Sequence, residues 1–154
     1  MAGLRTTRYI EDRENAKIKP MDDQIKPQPA SKKILVVEDE HFISELYVRA
    51  LTKAGHQVSV VNDGQVALEK AKTNAFDIIL LDIMLPNLSG QEILKSLRDP
   101  AQTPNLHSKI IITTNLELSD EERLAIERQA DGYIVKAEVT PKELVTFLSQ
   151  LQTN

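Results

Sequence analysis

Asp77-Ile78-Ile79-Leu80-Leu81-Asp82-Ile83-Met84-Leu85-Pro86 is the stretch that decides the fold. Four consecutive large apolar residues, Ile78 to Leu81, run up to an acid with no polar residue between them. A half-exposed strand would alternate apolar with polar; a strand buried on both faces does not. Such a strand belongs in the middle of a parallel sheet. A second run of the same kind, Ile34-Leu35-Val36-Val37, ends in Glu38-Asp39. If both strands deliver their acids at the same end, three carboxylates share one small space. That crowding costs stability unless a cation or a basic side chain offsets it.

The rest of the chain supplies the helices and strands that such a sheet needs. Ile43, Leu46, Tyr47, Ala50, Leu51 and Ala54 recur at helical spacing, and Gly55 stops that helix. Val58–Val61 is a second strand, interrupted by Ser59 and therefore an edge. Asn62-Asp63-Gly64 turns into a helix that runs to about Thr73. Ser89 with Glu92 and Ser119 with Glu122 are capping-box pairs, opening helices that end near Arg98 and Gln129. Between them lie a loop with Pro100 and Pro104, and a fourth strand, Ile110–Ile112. Tyr133–Val135 is the fifth strand. Thr140-Pro141-Lys142-Glu143 starts the last helix, with Leu144, Phe147, Leu148 and Leu151 on one face. Five strands alternating with five helices predict an α/β fold, a (βα)5 parallel sheet covered on both faces.

Residues 1–31 stand apart. They lack periodicity and hold Pro20, Pro27 and Pro29. Thr7 to Ile18 has the makings of a short polar helix but too few apolar residues to bury a face. We read 1–31 as a largely disordered tail and linker, with a partner-binding segment as the alternative, and 32–154 as the one folded domain. The absence of cysteine excludes disulfides and thiolate chemistry. His41, His56 and His107 are too scattered for a local zinc motif. No apolar run approaches a membrane span, and no secretory core opens the chain, so a soluble cytoplasmic protein is the default. The net charge is −4, with the excess of acid in the folded part, which argues against a nucleic-acid surface.

In an open α/β sheet the ligand site lies outside the carboxyl ends of the strands. Glu38 and Asp39 follow the first strand, Asp82 the third, Thr114 the fourth and Lys136 the fifth. Three carboxylates, a hydroxyl and an ammonium suit a divalent cation and a phosphoryl group, since Mg²⁺ takes a few carboxylates and keeps waters. The order of these pieces carries a resemblance. Leu35-Val36-Val37-Glu38-Asp39-Glu40, the stretch from Asp77 to Pro86, Ser89-Gly90, Thr113-Thr114-Asn115 and Ala130-Asp131-Gly132-Tyr133-Ile134-Val135-Lys136 resemble the receiver domain of two-component response regulators. The likeness implies a flavodoxin-like strand order 2-1-3-4-5, with Asp82 as phospho-acceptor. It implies Mg²⁺ held by Asp39 directly, by Glu38 through water, by Asp82 and by the Met84 carbonyl. Thr114 and Lys136 would bind the phosphoryl group, and Tyr133 would be the aromatic switch.

The partners implied are a histidine kinase or phosphotransfer protein, and a downstream protein that meets the fourth helix, fifth strand and fifth helix. As no second domain follows Asn154, the expectation is a stand-alone regulator, a monomer or a phosphorylation-dependent dimer. Each residue alone has a plainer reading: Asp82 capping a turn, Glu38-Asp39 favoured by a helix dipole, Lys136 solvated. Five such accidents at one sheet edge are not a reasonable alternative. Two departures matter. Ala137 follows Lys136 where the family commonly has a cis proline, so a trans bond and a different loop are expected here. Asn115 is larger than the usual alanine. They give weight to an alternative, a pseudo-receiver that binds partners without phosphorylation. An aspartyl-nucleophile phosphatase is disfavoured, because Met84 stands where it would need a second acid. Met84 and Leu116, bulky and apolar, are expected to hinder water and prolong the life of the phosphate.

Overall fold

The computed structural model describes residues 9–10, 19–20 and 30–153. The chain divides into two units, Met1–Ala30 and Ser31–Asn154. In the first, Tyr9–Ile10 pairs antiparallel with Lys19–Pro20. Tyr9 and Ile10 are thus extended, which breaks the helix considered for Thr7–Ile18; the remainder of that segment and the proline-rich stretch lie outside the described residues.

The second unit is the alternating fold. Its elements are β1 (Lys33–Val37), α1 (His41–Lys53), β2 (Gln57–Val61), α2 (Gly64–Lys72), β3 (Ile78–Asp82) and α3 (Gly90–Leu97), followed by β4 (Lys109–Thr114), α4 (Asp120–Glu127), β5 (Gly132–Val135) and α5 (Pro141–Ser149). The strands are parallel in the order β2-β1-β3-β4-β5. This is the doubly wound, flavodoxin-like arrangement. β3 is central and buried throughout, whereas β2 is an edge with Val60 exposed.

Alternate residues of each strand serve opposite faces, as the pleat requires. Leu35, Val37, Ile79, Leu81, Ile110 and Ile112 pack with Ala67, Leu68, Leu94, Leu97 and Ile126 from α2, α3 and α4. Ile34, Val36, Ile78, Leu80 and Ile111 pack with Tyr47, Leu51, Leu144 and Leu148 from α1 and α5. The two apolar layers fix the register, because a one-residue slip would exchange them.

The helix starts follow their local chemistry. Capping boxes form at Ser89/Glu92, Ser119/Glu122 and Thr140/Glu143, the last with Pro141 in the first turn. Asp63 caps α2 by accepting from the Val66 N–H at 3.0 Å. α1 ends on Gly55 at φ +94°, a conformation that glycine adopts without strain. β4 is longer than the apolar run Ile110–Ile112 indicates. Thr113 pairs with Asp82 and Thr114 with Val135, so both threonines belong to the strand, where β-branched side chains fit.

Candidate functional site

Residues at the carboxyl ends of β1, β3, β4 and β5 meet because the strands are parallel and in register. Asp82 is the last residue of β3 and Thr114 the last of β4; Glu38 follows β1 and Lys136 follows β5. A further constraint sets the approach of α3. A Cβ on Gly90 would overlap the Asp82 carbonyl oxygen, and the Gly90 N–H donates to the Ile83 carbonyl at 2.9 Å. Glycine therefore lets the start of α3 close against the end of β3 and shapes the loop after Asp82.

Both oxygens of Asp82 are held. Oδ2 accepts from Lys136 Nζ at 2.9 Å, and Oδ1 accepts from the Met84 N–H at 3.1 Å. Lys136 Nζ also lies 2.5 Å from Glu38 Oε2. One ammonium thus bridges two carboxylates, and all three side chains are almost completely buried. Glu38 Oε1 accepts from the Glu40 N–H. Its other oxygen makes the close ion contact with Lys136 without an aligned hydrogen bond. Burial pushes the Glu38 carboxyl up to about 7, against the pull of Lys136 and with the negative charge of Asp82 adding to the rise. Burial would lower the Lys136 ammonium, but Glu38 and Asp82 outweigh it and hold it above its usual value.

Carboxylate oxygens of Glu38, Asp39 and Asp82 lie within 4.8 Å of one another, with Asp39 exposed at the surface of the group. A 190 Å³ hollow opens over Glu38, Asp39, His41, Ser44, Val60 and Asn62. Two buried acids, one exposed acid and a single buried cation leave the cluster short of positive charge. Hard oxygen donors with a buried oxygen that lacks an aligned donor are a suitable set for Mg²⁺. His41 is not part of it: its side chain is largely solvent-exposed, 3.7 Å from Glu45 one turn along α1.

The other expected residues stand around this group. Thr114 is buried, its Oγ1 accepting from the Leu116 N–H at 3.0 Å. Tyr133 is half-buried in the layer under α2–α4, with the Arg123 guanidinium 4.9 Å over its ring. Met84 and Leu116 are exposed by 60% and 37%, flanking the acid cluster in sequence on the loops after β3 and β4. The described peptide bonds are all trans, Lys136–Ala137 included, and Lys136–Glu138 forms a 3-10 turn. In that turn the Ala137 N–H donates to Asn115 Oδ1 at 2.7 Å.

These features agree with the comparisons. The family model of the response regulator receiver domain matches residues 34–149. The chain belongs to the response regulator receiver family. It is 40% identical over 103 residues to the response regulator ArlR of Staphylococcus epidermidis, covering 67% of this chain and 45% of that protein. It is 39% identical over 114 residues to the alkaline phosphatase synthesis transcriptional regulatory protein PhoP of Bacillus subtilis, covering 74% of this chain and again 45% of the relative. The receiver thus spans under half the length of these relatives. Among solved structures, chemotaxis protein CheY4 of Vibrio cholerae aligns at TM-score 0.67 and 31% identity over 80% of this chain and 100% of that one. The BeF3-activated N-terminal receiver domain of Klebsiella pneumoniae RstA aligns at 0.65 and 31%, over 75% and 94%. Receiver domains interact with histidine kinases and generally bind Mg²⁺ at an acidic pocket; here the acids are Glu38, Asp39 and Asp82. No described helix is long and apolar enough to cross a membrane.

Proposed function

We propose that this receiver accepts a phosphoryl group on Asp82 from a histidine kinase or phosphotransfer protein and passes the change to a protein-binding face. The observation that carries this reading is the buried Asp82 carboxylate, held at both oxygens by Lys136 and the Met84 N–H, beside two further acids. A carboxylate is a weak nucleophile, and its approach to an anionic phosphoryl group is repulsive. Lys136 offsets part of that charge, and its hydrogen bond fixes the direction of approach. Asp39 directly, Glu38 through water, Asp82 and the Met84 carbonyl would hold Mg²⁺. Once bound, that ion would neutralise charge on the transferring oxygens.

In the transfer, an Asp82 oxygen forms the new O–P bond as the donor's P–N bond breaks, and the imidazole leaves. The acyl phosphate carries about −2 charge at neutral pH. Lys136 stays paired with it, and the Thr114 hydroxyl, whose oxygen accepts from the Leu116 N–H, turns to donate its proton to a phosphoryl oxygen. Thr114 then carries the β4–α4 loop, and Tyr133 follows. The output face is α4–β5–α5. It holds a 400 Å³ hollow lined in part by Arg123, Tyr133, Val135, Glu138 and Phe147.

Incubation with a small phosphodonor and Mg²⁺, read by intact mass, tests the reading. One phosphate adduct is expected, absent in Asp82→Asn. No adduct would instead favour a phosphorylation-independent interaction module. Met84 and Leu116 should impede water, so the adduct should persist for minutes or longer in a radiolabel chase; decay within seconds contradicts their shielding.

A further inference from the structure

The bond from Ala137 to Asn115 joins the turn that carries Lys136 to the loop that follows Thr114. It lies one step beyond the β4–β5 ladder, whose last pair is Thr114 with Val135. The acceptor is the side-chain Oδ1 of Asn115, so beyond the last strand pair the two segments stay joined through a side chain. The bond requires a residue with an N–H at 137, which proline lacks. It also requires an acceptor at 115, which alanine does not supply.

The strand order gives this contact a direction. Asp82 ends β3, on one side of β4; Ala137 follows β5, on the other. Any movement of Thr114 toward a phosphoryl group on Asp82 draws Asn115 toward β3 and away from Ala137. We propose that Asn115 is a positioning residue, a latch that holds the β4–α4 loop against the Lys136 turn and opposes the switch until the phosphoryl charge is present. This rests on the reading of Asp82 as acceptor.

The latch acts through Thr114 and does not touch the reacting atoms. Releasing it should favour the switched arrangement by about the equilibrium worth of one neutral hydrogen bond, roughly fivefold. The test is titration of the whole chain with fluoroberyllate and Mg²⁺ for the wild type, Asn115→Ala, Ala137→Pro and the double variant. In parallel, the exchange rate of the Ala137 amide proton is followed by NMR.

Fluoroberyllate should bind about fivefold tighter to Asn115→Ala and to Ala137→Pro, with no further gain when they are combined. The Ala137 amide should be protected in the free wild type, and exchange freely in Asn115→Ala and in the fluoroberyllate-bound wild type. Unchanged or weaker binding by Asn115→Ala overturns the latch, as does an Ala137 amide equally protected in that variant. A full gain from Asn115→Ala on top of Ala137→Pro also overturns it, assigning the effect to the size of Asn115 alone. If the wild type binds no fluoroberyllate, the reading of Asp82 falls and the latch with it; normal wild-type binding with an unaffected variant removes only the latch.

Discussion

The two edges of the sheet treat polar side chains in opposite ways. At the amino edge, each group closes a backbone end. Asp77 accepts from the Lys33 N–H at 2.8 Å, and Ser108 donates to the Phe76 carbonyl at 2.6 Å. Asp131 accepts from the Ile110 N–H and from Arg98. His56 Nδ1 accepts from the Lys32 N–H, while Lys32 Nζ donates to the Leu148 and Leu151 carbonyls at the end of α5. At the carboxyl edge, Glu38 and Asp82 crowd around one ammonium, and a buried oxygen is left without an aligned donor. One edge spends its polar groups on stability. The other sets two buried acids on one ammonium, with burial pushing Glu38 toward its protonated form.

Removing the single cation should have the largest effect. Lys136→Met leaves two buried acids uncompensated, and breaking such a pair costs about 3–5 kcal/mol. Urea unfolding in EDTA should show that loss, and added Mg²⁺ should restore more stability to the variant than to the wild type. An equal response would mean that the acids do not share a cation site.

Asp131→Ala tests the other edge. It strands the Ile110 N–H, a loss of about 1–3 kcal/mol for a buried donor. Phosphodonor labelling at a temperature well below unfolding should not change. A variant that labels poorly while fully folded would break the division between the edges.

The smallest effects are the pH slopes, and they have opposite signs. Glu38 keeps its proton to about pH 7 in the fold, while the free carboxyl loses it near 4.5. Between those values the native state binds more protons, so stability from this edge falls as pH rises. Burial, with Lys32 adding to it, holds His56 below its ordinary 6.5. There the unfolded state binds more protons, so stability is complete above 6.5 and is lost as pH falls. Urea midpoints in EDTA from pH 5 to 8 should lose the first slope in Glu38→Gln and the second in His56→Asn. Slopes unchanged by both variants would contradict the assignment.

The sequence made the scaffold legible because buried parallel strands are written as apolar runs. Ile34–Val37 and Ile78–Leu81 are each bounded by the acids they deliver. The capping pairs at Ser89, Ser119 and Thr140 were equally plain, since their signals span only four residues. Contacts between distant loops were less accessible. The resemblance implies that Glu38 meets a cation through water; in the fold it meets Lys136 directly, whose side chain reaches from the end of β5 past the two strands that separate it from β1. β4 runs past its apolar stretch because Thr113 and Thr114 are polar by composition yet buried by position. Asn115 and Ala137 are legible as departures from the family pattern, one for its bulk and the other for the missing proline. Their hydrogen bond could not be read, because an alanine N–H carries no side-chain signal.

If the carboxyl edge is where phosphoryl chemistry takes place, it should fall on Asp82 alone. Borohydride trapping after phosphodonor treatment with Mg²⁺ reduces an acyl phosphate to the alcohol, which peptide mass mapping can place. One trapped site is expected, at Asp82, dependent on Mg²⁺ and nearly abolished in Lys136→Met. Trapping at another carboxylate, or none in a folded wild-type chain, would contradict it.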